Sequence, residues 1–315
     1  MALSSMGGTV LPSSVRRDVE ASLSGGRDVR GLIFKLLLQA ALLLTVVILA
    51  VLLGQVISLG WETVATRLGD FLTAESRSRA SEAGVFQGLR GTLWIAVVVT
   101  VVAFPLGIAA AVYLEEYAPR GRLTNFIELN IRNLAGVPSV VYGILAYTIF
   151  VVLLKPVTGG KTALSGALAV ALLVLPVVII TSAEALRAVP STLREAGYGV
   201  GATRWEVTRS HVLPYAAPGI LTGTLLSLGR ALGEAAPLIL VGAIPGSVGY
   251  NGGLLDPGQL REQFTAMPIV IASWSTNARQ GFDQATAAAI VVLLTVVLMA
   301  NATAIILRNR FEKKR

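Results

Sequence analysis

Two charged residues lie close together inside a very apolar stretch of the chain. Arg230 and Glu234 occur in the run GRALGEAAPLIL, and their spacing of four residues predicts that they share one helix face. Placing either charge at the centre of a bilayer costs about 2.5 to 3.5 kcal/mol, so such residues need a partner or a function. A guanidinium is a planar, bidentate donor that suits a phosphate-like oxyanion. We therefore predict that Arg230 and Glu234 line a substrate pathway; an ion pair that only assists assembly is the alternative.

Composition excludes several other kinds of site. The chain has no cysteine and one histidine, His211, so thiolate metal sites, disulfides and histidine-based zinc sites or triads are excluded. The apolar segments also lack a second acid or a serine-lysine set that would make Glu234 catalytic. We predict no catalytic residue, no metal site and no enzymatic activity on this chain.

A polar stretch between two apolar segments, residues 192–214, has the features of a docking element. Thr192 and Glu195 have the spacing of a capping box, which predicts that a short helix begins there. Glycines at 197, 199 and 201 disfavour a long continuation, because glycine costs about 1 kcal/mol relative to alanine inside a helix. We expect the chain to bend before Leu213 and Pro214 lead into the next apolar segment.

The chain as a whole is too apolar for a soluble domain. Of its 315 residues, 54% are hydrophobic and 14% are charged, and the mean hydropathy is +0.72. Soluble domains carry about 25% charged residues, so these values predict a polytopic, all-α membrane protein. Six apolar runs are long enough to cross roughly 30 Å of hydrocarbon as helices. They cover residues 36–58, 92–114, 134–154, 163–183, 215–243 and 284–307.

Basic residues are unevenly distributed between the two ends of these spans. If both termini share a side with the loops 115–133 and 184–214, that side holds 17 Lys and Arg against 8 on the other. The positive-inside rule therefore predicts that the termini and the loop 184–214 are cytoplasmic. The same bias accounts for the net charge of +8, and we predict no nucleic-acid partner.

These boundaries predict four parts. They are a cytoplasmic tail (1–30), a first transmembrane helix with an external loop (31–87), a core of five transmembrane helices that includes the coupling loop 184–214 (88–307), and a basic cytoplasmic C-terminus (308–315).

The docking stretch resembles the EAA loop of ABC importer permeases. In that loop Glu-Ala-Ala, three residues, Gly, nine residues and Ile-x-Leu-Pro form the coupling helix for a cytoplasmic ATPase. Glu195 opens the matching pattern here, while Gly197 and His211 replace the second alanine and the isoleucine. The resemblance implies the six-helix, MetI-like permease fold of type I ABC importers. It implies ATPase coupling through Glu195, Ala196, Gly201, Trp205, Leu213 and Pro214.

Three other segments resemble phosphate importer permeases. They are GVPSVVYGIL at 136–145, RALGEAAP at 230–237 and MPIVIASW at 267–274. The Ala-Pro-Leu after Glu234 and the ILRNRF ending are similar to the A-type rather than the C-type subunit, and the resemblance covers about residues 88–311. It implies that Arg230 meets phosphate in the pathway, with Ser139 and Tyr142 as further candidates for lining it.

The resemblance also implies partners and a location. The chain would pair with a C-type permease, two copies of a cytoplasmic ABC ATPase and an external phosphate-binding protein, in a bacterial or archaeal plasma membrane. ATP would bind to the ATPase, and this chain would hold no cofactor. The segment KPVTGGKT at 155–162 is similar to the end of a nucleotide-binding P-loop, but Lys155 replaces its first glycine, so we predict no nucleotide site there.

Three alternatives stay open. A related permease for phosphonate, sulfate or molybdate would use the same guanidinium chemistry. A channel or receptor would need no ATPase. An intramembrane enzyme would use Glu234 as an acid or base.

Overall fold

The structure is a computed structural model that describes residues 29–246, 248–249, 253–254 and 256–312. All but the last two residues of the predicted tail 1–30 lie outside the described residues, as do residues 313–315 of the predicted C-terminus. The chain divides into two compact units, residues 1–55 and 56–315. Within the described residues both units are built from helices and contain no strand.

The described part of the first unit is the beginning of helix α1, Val29–Thr73. Every side chain from residue 29 to residue 55 is exposed, and nearly all of them are apolar. An exposed apolar helix of this length suits a lipid environment. The predicted first span, 36–58, lies inside α1.

The second unit contains the end of α1 and the helices that follow it. They are α2 (Phe86–Tyr117), α3 (Arg122–Ala135), α4 (Ser139–Leu153), α5 (Ala163–Arg187), α6 (Ser191–Gly199), α7 (Arg204–Gly233), α8 (Ala236–Val241), α9 (Met267–Ser275) and α10 (Phe282–Glu312). Two shorter turns, Lys155–Thr158 and Pro257–Arg261, lie between these helices.

The number of membrane spans agrees with the sequence. Among the described residues, five helices are long and apolar enough to cross a membrane, and a sixth span results if α3 and α4 form one broken span. Those two helices meet at 103°. The prediction of a third span over 134–154 is therefore wrong at its start, because Leu134 belongs to α3. Pro138 cannot donate a helical hydrogen bond and disfavours the α conformation at the residue before it, which ends α3 ahead of α4.

The predicted fifth span, 215–243, is also wrong as a single helix. Helix α7 already begins at Arg204 in the polar loop and ends at Gly233, after which Glu234 is extended (φ −80°, ψ 120°). Pro237 has no N–H to donate to the carbonyl of Gly233, so a continuous helix would lack that bond. The chain restarts as the short helix α8.

Helix α5 is the most buried candidate span and packs against α2 and α7. Small residues permit the close contacts: a side chain at Gly107 on α2 would lie 2.6 Å from Val178 on α5. On α7, a Cβ at Gly219 would lie 2.8 Å from Ala185, and one at Gly223 would collide with Thr181. The α5 face of α7 is thus fixed by glycines four residues apart, as expected of a small-residue helix interface.

Candidate functional site

The break between α7 and α8 carries the predicted pathway residues. Arg230 lies in the last turn of α7, and Glu234 is the first residue beyond the helix. Arg230 Nε and Glu234 Oε1 are 3.6 Å apart, an ion pair that is long for a hydrogen bond. The Arg230 side chain is 54% exposed and that of Glu234 is 19% exposed. The helix-face prediction therefore needs one correction: the two residues meet although Glu234 has left the helix.

The other two pathway candidates lie at the start of α4. Ser139 is the first residue of that helix and is half-buried. Tyr142 is buried, and its hydroxyl donates a hydrogen bond to the carbonyl of Leu134, 3.0 Å away, across the bend between α3 and α4. The next residue, Gly143, lets α8 approach, since a Cβ there would lie 2.9 Å from Pro237 Cα. A role for Ser139 and Tyr142 in lining the pathway stays a prediction.

The docking stretch forms a short helix, but its start differs from the prediction. Helix α6 begins at Ser191 after Pro190, and no side chain caps it. The predicted capping box of Thr192 and Glu195 is therefore wrong, because Thr192 lies within the first turn rather than before it. Pro190, with φ −57° and ψ 138°, sets the extended entry to the helix.

A capping box occurs instead at the start of α7. The Thr203 hydroxyl accepts from the Glu206 N–H at 3.3 Å, and the Glu206 carboxylate accepts from the Thr203 N–H at 2.8 Å. The sequence TRWE at 203–206 carries the signature of this motif, which could have been recognised beside TLRE. It makes the second half of the docking stretch the first turn of α7.

The glycines of the docking stretch pack and turn the chain. If residue 197 were the second alanine of the EAA pattern, its Cβ would lie 2.7 Å from Val207 Cγ2. Helix α6 could then not pack as closely against the first turn of α7. Gly201 has φ +84°, a conformation that favours glycine, and ends the turn between the two helices. Both positions bring α6 back against α7.

Most of the predicted coupling residues face outward. Glu195, Ala196, Gly201, Trp205 and Pro214 are exposed, and Leu213 is half-buried. Tyr198, Val200 and Trp205 expose 44%, 85% and 56% of their surfaces, which gives the segment an apolar patch of the kind that marks protein contacts. A π-helical segment, Thr208–Val212, joins this part to the rest of α7 just before Pro214. Single π-helical turns inside α-helices frequently occur at functional sites.

Two functional residues that the sequence did not reveal connect this stretch to the membrane core. Arg194 on α6 binds Glu116, in the last turn of α2, through contacts of 2.6, 3.2 and 3.3 Å. Arg194 also donates to the carbonyls of Leu186 (3.0 Å) and Val189 (2.8 Å) at the end of α5. Glu116 is 5% exposed, so the pair is largely shielded from solvent. The sequence does carry one signal for this ion pair. Glu116 lies just after an apolar span, in a polar stretch that also contains several arginines.

A cavity of about 1270 Å³ opens beside this ion pair. Four further arginines line it, and the guanidinium of one of them, Arg204, lies 5.4 Å from the centre of the Tyr117 ring. Its charged lining residues are Glu115, Glu116, Arg120, Arg122, Glu128, Arg187, Arg194 and Arg204. Arginines exceed glutamates by five to three in this list, so the cavity favours negatively charged groups. Among the residues that the structure describes, no group of His, Asp and Glu could hold a metal ion.

Comparison with known proteins gives consistent matches. Residues 103–314 match the family described as binding-protein-dependent transport system inner membrane component. The chain is 37% identical over 260 residues to phosphate transport system permease protein PstA 1 of Mycobacterium tuberculosis, covering 81% of each chain. It is 33% identical to PstA of Mycobacterium leprae, covering 91% of each chain, and 34% identical to PstC of Mesorhizobium japonicum, covering 66% of this chain and 71% of the relative.

Solved structures show the same fold. A bacterial alginate ABC transporter in complex with a pentasaccharide-bound periplasmic protein superposes with a TM-score of 0.60 at 18% identity, covering 88% of this chain and 97% of the other. An inward-facing MetNI methionine ABC transporter gives a TM-score of 0.53 at 16% identity, covering 72% of this chain and 94% of the other. The family match spans well over half of the sequence. The chain is thus a multi-pass membrane protein and belongs to the family of binding-protein-dependent transport system inner membrane components, in which it is similar over most of its length to the PstA permeases.

Proposed function

We propose that this chain is the A-type permease subunit of an ATP-driven phosphate importer. The observation that carries the proposal is its similarity to PstA phosphate permeases across four fifths of both sequences. The relatives are transport permeases, which supports a transport subunit rather than an enzyme. ATP would bind to a separate ATPase, and this chain would need no cofactor.

The arrangement of α7 supports a mechanism. This one helix begins in the docking stretch and ends beside Arg230 and Glu234, and the 25 residues between Trp205 and Arg230 span about 37 Å at 1.5 Å per residue. A force applied to the exposed end at Trp205 would therefore move the helix end that carries Arg230. ATP binding and hydrolysis on the partner would open the pathway alternately to the two sides.

The charged and apolar surface of the docking stretch suits an ATPase. Glu195 is exposed, and within the described part of the chain it forms no ion pair. Beside it lie the apolar patch of Tyr198, Val200 and Trp205 and the arginine-rich cavity. A C-type permease and two ATPase copies would complete the assembly, with a phosphate-binding protein on the opposite side. In this arrangement both termini are cytoplasmic.

The test is ATP-dependent uptake of labelled phosphate into proteoliposomes that contain the reconstituted assembly. Arg230→Ala should reduce uptake by about 10- to 100-fold, as expected for the loss of a charged hydrogen bond worth about 1.5 to 3 kcal/mol. Assembly with the ATPase should be unchanged. Arg230→Lys keeps the charge but loses the planar fork, so its uptake rate should lie between those of the wild type and Arg230→Ala. Wild-type uptake by Arg230→Ala would contradict the role of this residue.

Two further measurements separate the alternatives. Competition by unlabelled sulfate, molybdate or phosphonate distinguishes a phosphate importer from a permease for another oxyanion. Co-purification with a P-loop ATPase separates an importer from a channel, and Glu195→Ala should uncouple ATP hydrolysis from uptake. Recovery of uptake without any ATPase would favour the channel.

A further inference from the structure

A second group of basic residues lies at the end of α5 that is far from the docking stretch. The last residue of α5, Arg187, lies beside the docking stretch. Its first residue, Ala163, lies about 36 Å away at 1.5 Å per residue. Here a cavity of about 610 Å³ opens between the turn that precedes α5 and the turn Pro257–Arg261. Lys155, Lys161 and Arg261 line it, with Glu262 as the one acid among the lining residues.

The stems of the two lysines lie against glycines. The stem of Lys155 lies over Gly160, whose Cβ would be 3.6 Å from Lys155 Cγ. The stem of Lys161 crosses Gly242 at the end of α8, where a Cβ would be 2.8 Å from Lys161 Cδ. Gly160 and Gly242 have φ of +93° and +110°, which only glycine adopts readily. Each lysine stem thus lies against a glycine whose backbone conformation disfavours a side chain.

The two walls of the cavity are joined to each other. The N–H of Ala163 donates to the carbonyl of Glu262 at 3.1 Å, which ties the turn before α5 to the turn that contains Arg261. Buried hydroxyls hold the first turn: Thr162 donates to the carbonyl of Thr158 at 2.7 Å, and Ser165 donates to the carbonyl of Gly160 at 2.5 Å. These hydrogen bonds fix the two turns that line the cavity.

Among the described residues none of Lys155, Lys161 and Arg261 forms an ion pair, and the lining carries three positive charges against one negative. A concave surface of one charge sign concentrates oppositely charged solutes. Three separate donors around a cavity of this size match the several oxygens of a phosphate group better than a single carboxylate.

We infer that Lys155, Lys161 and Arg261 form a second anion site, which takes a phosphate group. The segment at 155–162, which resembles the end of a P-loop in sequence, would thus bind a phosphate group without binding a nucleotide. The source of that group is inorganic phosphate or the headgroup of an anionic lipid. Under the proposed function the site holds phosphate before it reaches Arg230, since the six residues of α8 connect Gly242, beneath Lys161, to the break at Glu234.

Lysine reactivity tests the site directly. The sequence contains five lysines, and Lys155 and Lys161 are the only ones between residues 36 and 312. The reconstituted assembly, without its binding protein, is acylated in nanodiscs of phosphatidylcholine and the rate at each lysine is followed by mass spectrometry. Inorganic phosphate at ten times its dissociation constant should slow acylation of both residues roughly tenfold by mass action, and should leave Lys35 unchanged. Arg261→Gln should weaken this protection, whereas Arg79→Gln, an exposed arginine outside the cavity, should not.

A second arm identifies the source of the phosphate group. If protection needs no added phosphate but needs phosphatidylglycerol in the nanodisc, the site holds a lipid headgroup. If neither inorganic phosphate nor phosphatidylglycerol protects the lysines, the inference is overturned. The proposed function can fail while the anion site stands. If phosphate protects the lysines of the wild-type assembly but the assembly takes up no phosphate, the anion site is supported and the transport role is contradicted.

Discussion

Arg194 and Glu116, 78 positions apart in sequence, form a largely buried ion pair that joins the docking helix α6 to the end of the membrane helix α2. The shortest contact, Nη2 to Oε1, is 2.6 Å, and the Glu116 side chain is 4% exposed. The remaining donors of Arg194 bind two carbonyls at the end of α5. One guanidinium therefore connects the docking helix with two membrane helices. Under the proposed function, movement of α6 by an ATPase would be transmitted to α2 and α5 as well as to α7.

We expect Glu116→Gln to separate ATP hydrolysis from transport. Removing one partner of a buried pair leaves the other charge uncompensated, at a cost of roughly 3 to 5 kcal/mol. The ATPase should still co-purify with the variant, because the exposed face of α6 is unchanged. The amount of phosphate taken up per ATP hydrolysed should fall. Glu128→Gln is the control, since Glu128 belongs to a more exposed pair with Arg187 at 2.7 Å. An equal loss of coupling in both variants would contradict the role of the buried pair.

Capping can be tested with two threonines of the same stretch. Thr203→Ala should lower the thermal stability of the permease, because loss of an N-cap costs about 1 kcal/mol. Thr192→Ala should change it little, because Thr192 makes no cap in α6. Thermal unfolding in detergent compares the two variants. A larger effect at Thr192 would restore the capping box predicted from the sequence.

The six apolar runs, their approximate positions and the helical fold could be predicted from the sequence. The breaks within two of the runs could not, because hydropathy records apolar length and not helix continuity. At both places a proline coincides with the break: Pro138 ends α3 before α4, and Pro237 prevents α7 from continuing through Glu234. Proline alone would not have located these breaks, because Pro105 and Pro176 lie inside the unbroken helices α2 and α5.

The candidate site was predictable where its residues are neighbours in sequence. The spacing of Arg230 and Glu234 led to a pair that the structure contains, since four residues suffice even when the helix ends between them. The contact of Arg194 with Glu116 depends on how α2, α5 and α6 pack, and neither residue's own neighbours specify that arrangement. Thr192 and Thr203 each begin a sequence that fits the capping motif, but only Thr203 lies at an N-cap, because α6 already begins at Ser191, directly after Pro190.

The glycines of α7 provide a test of helix packing. Gly223→Ala should destabilise the protein by about 1 to 3 kcal/mol, because its Cβ would lie 2.5 Å from the Cβ of Thr181 on α5 and overpack the interface. Gly233→Ala is the matched control, since no atom lies within 4 Å of its Cβ position. Thermal unfolding and recovery of the folded permease should distinguish them. Equal stability of the two variants would mean that α7 does not pack on α5 in this way.

The ion pair at the helix break predicts opposite effects on binding and turnover. Glu234→Gln removes the negative charge 3.6 Å from Arg230, so the guanidinium becomes more available to an anion. Phosphate should then be held more tightly and released more slowly, which would lower both the KM and the maximal rate of uptake. This combination is expected when Glu234 no longer competes with phosphate for the Arg230 guanidinium. Initial uptake rates measured against phosphate-loaded binding protein would show this pattern. A variant with raised KM and normal maximal rate would instead indicate that Glu234 assists binding.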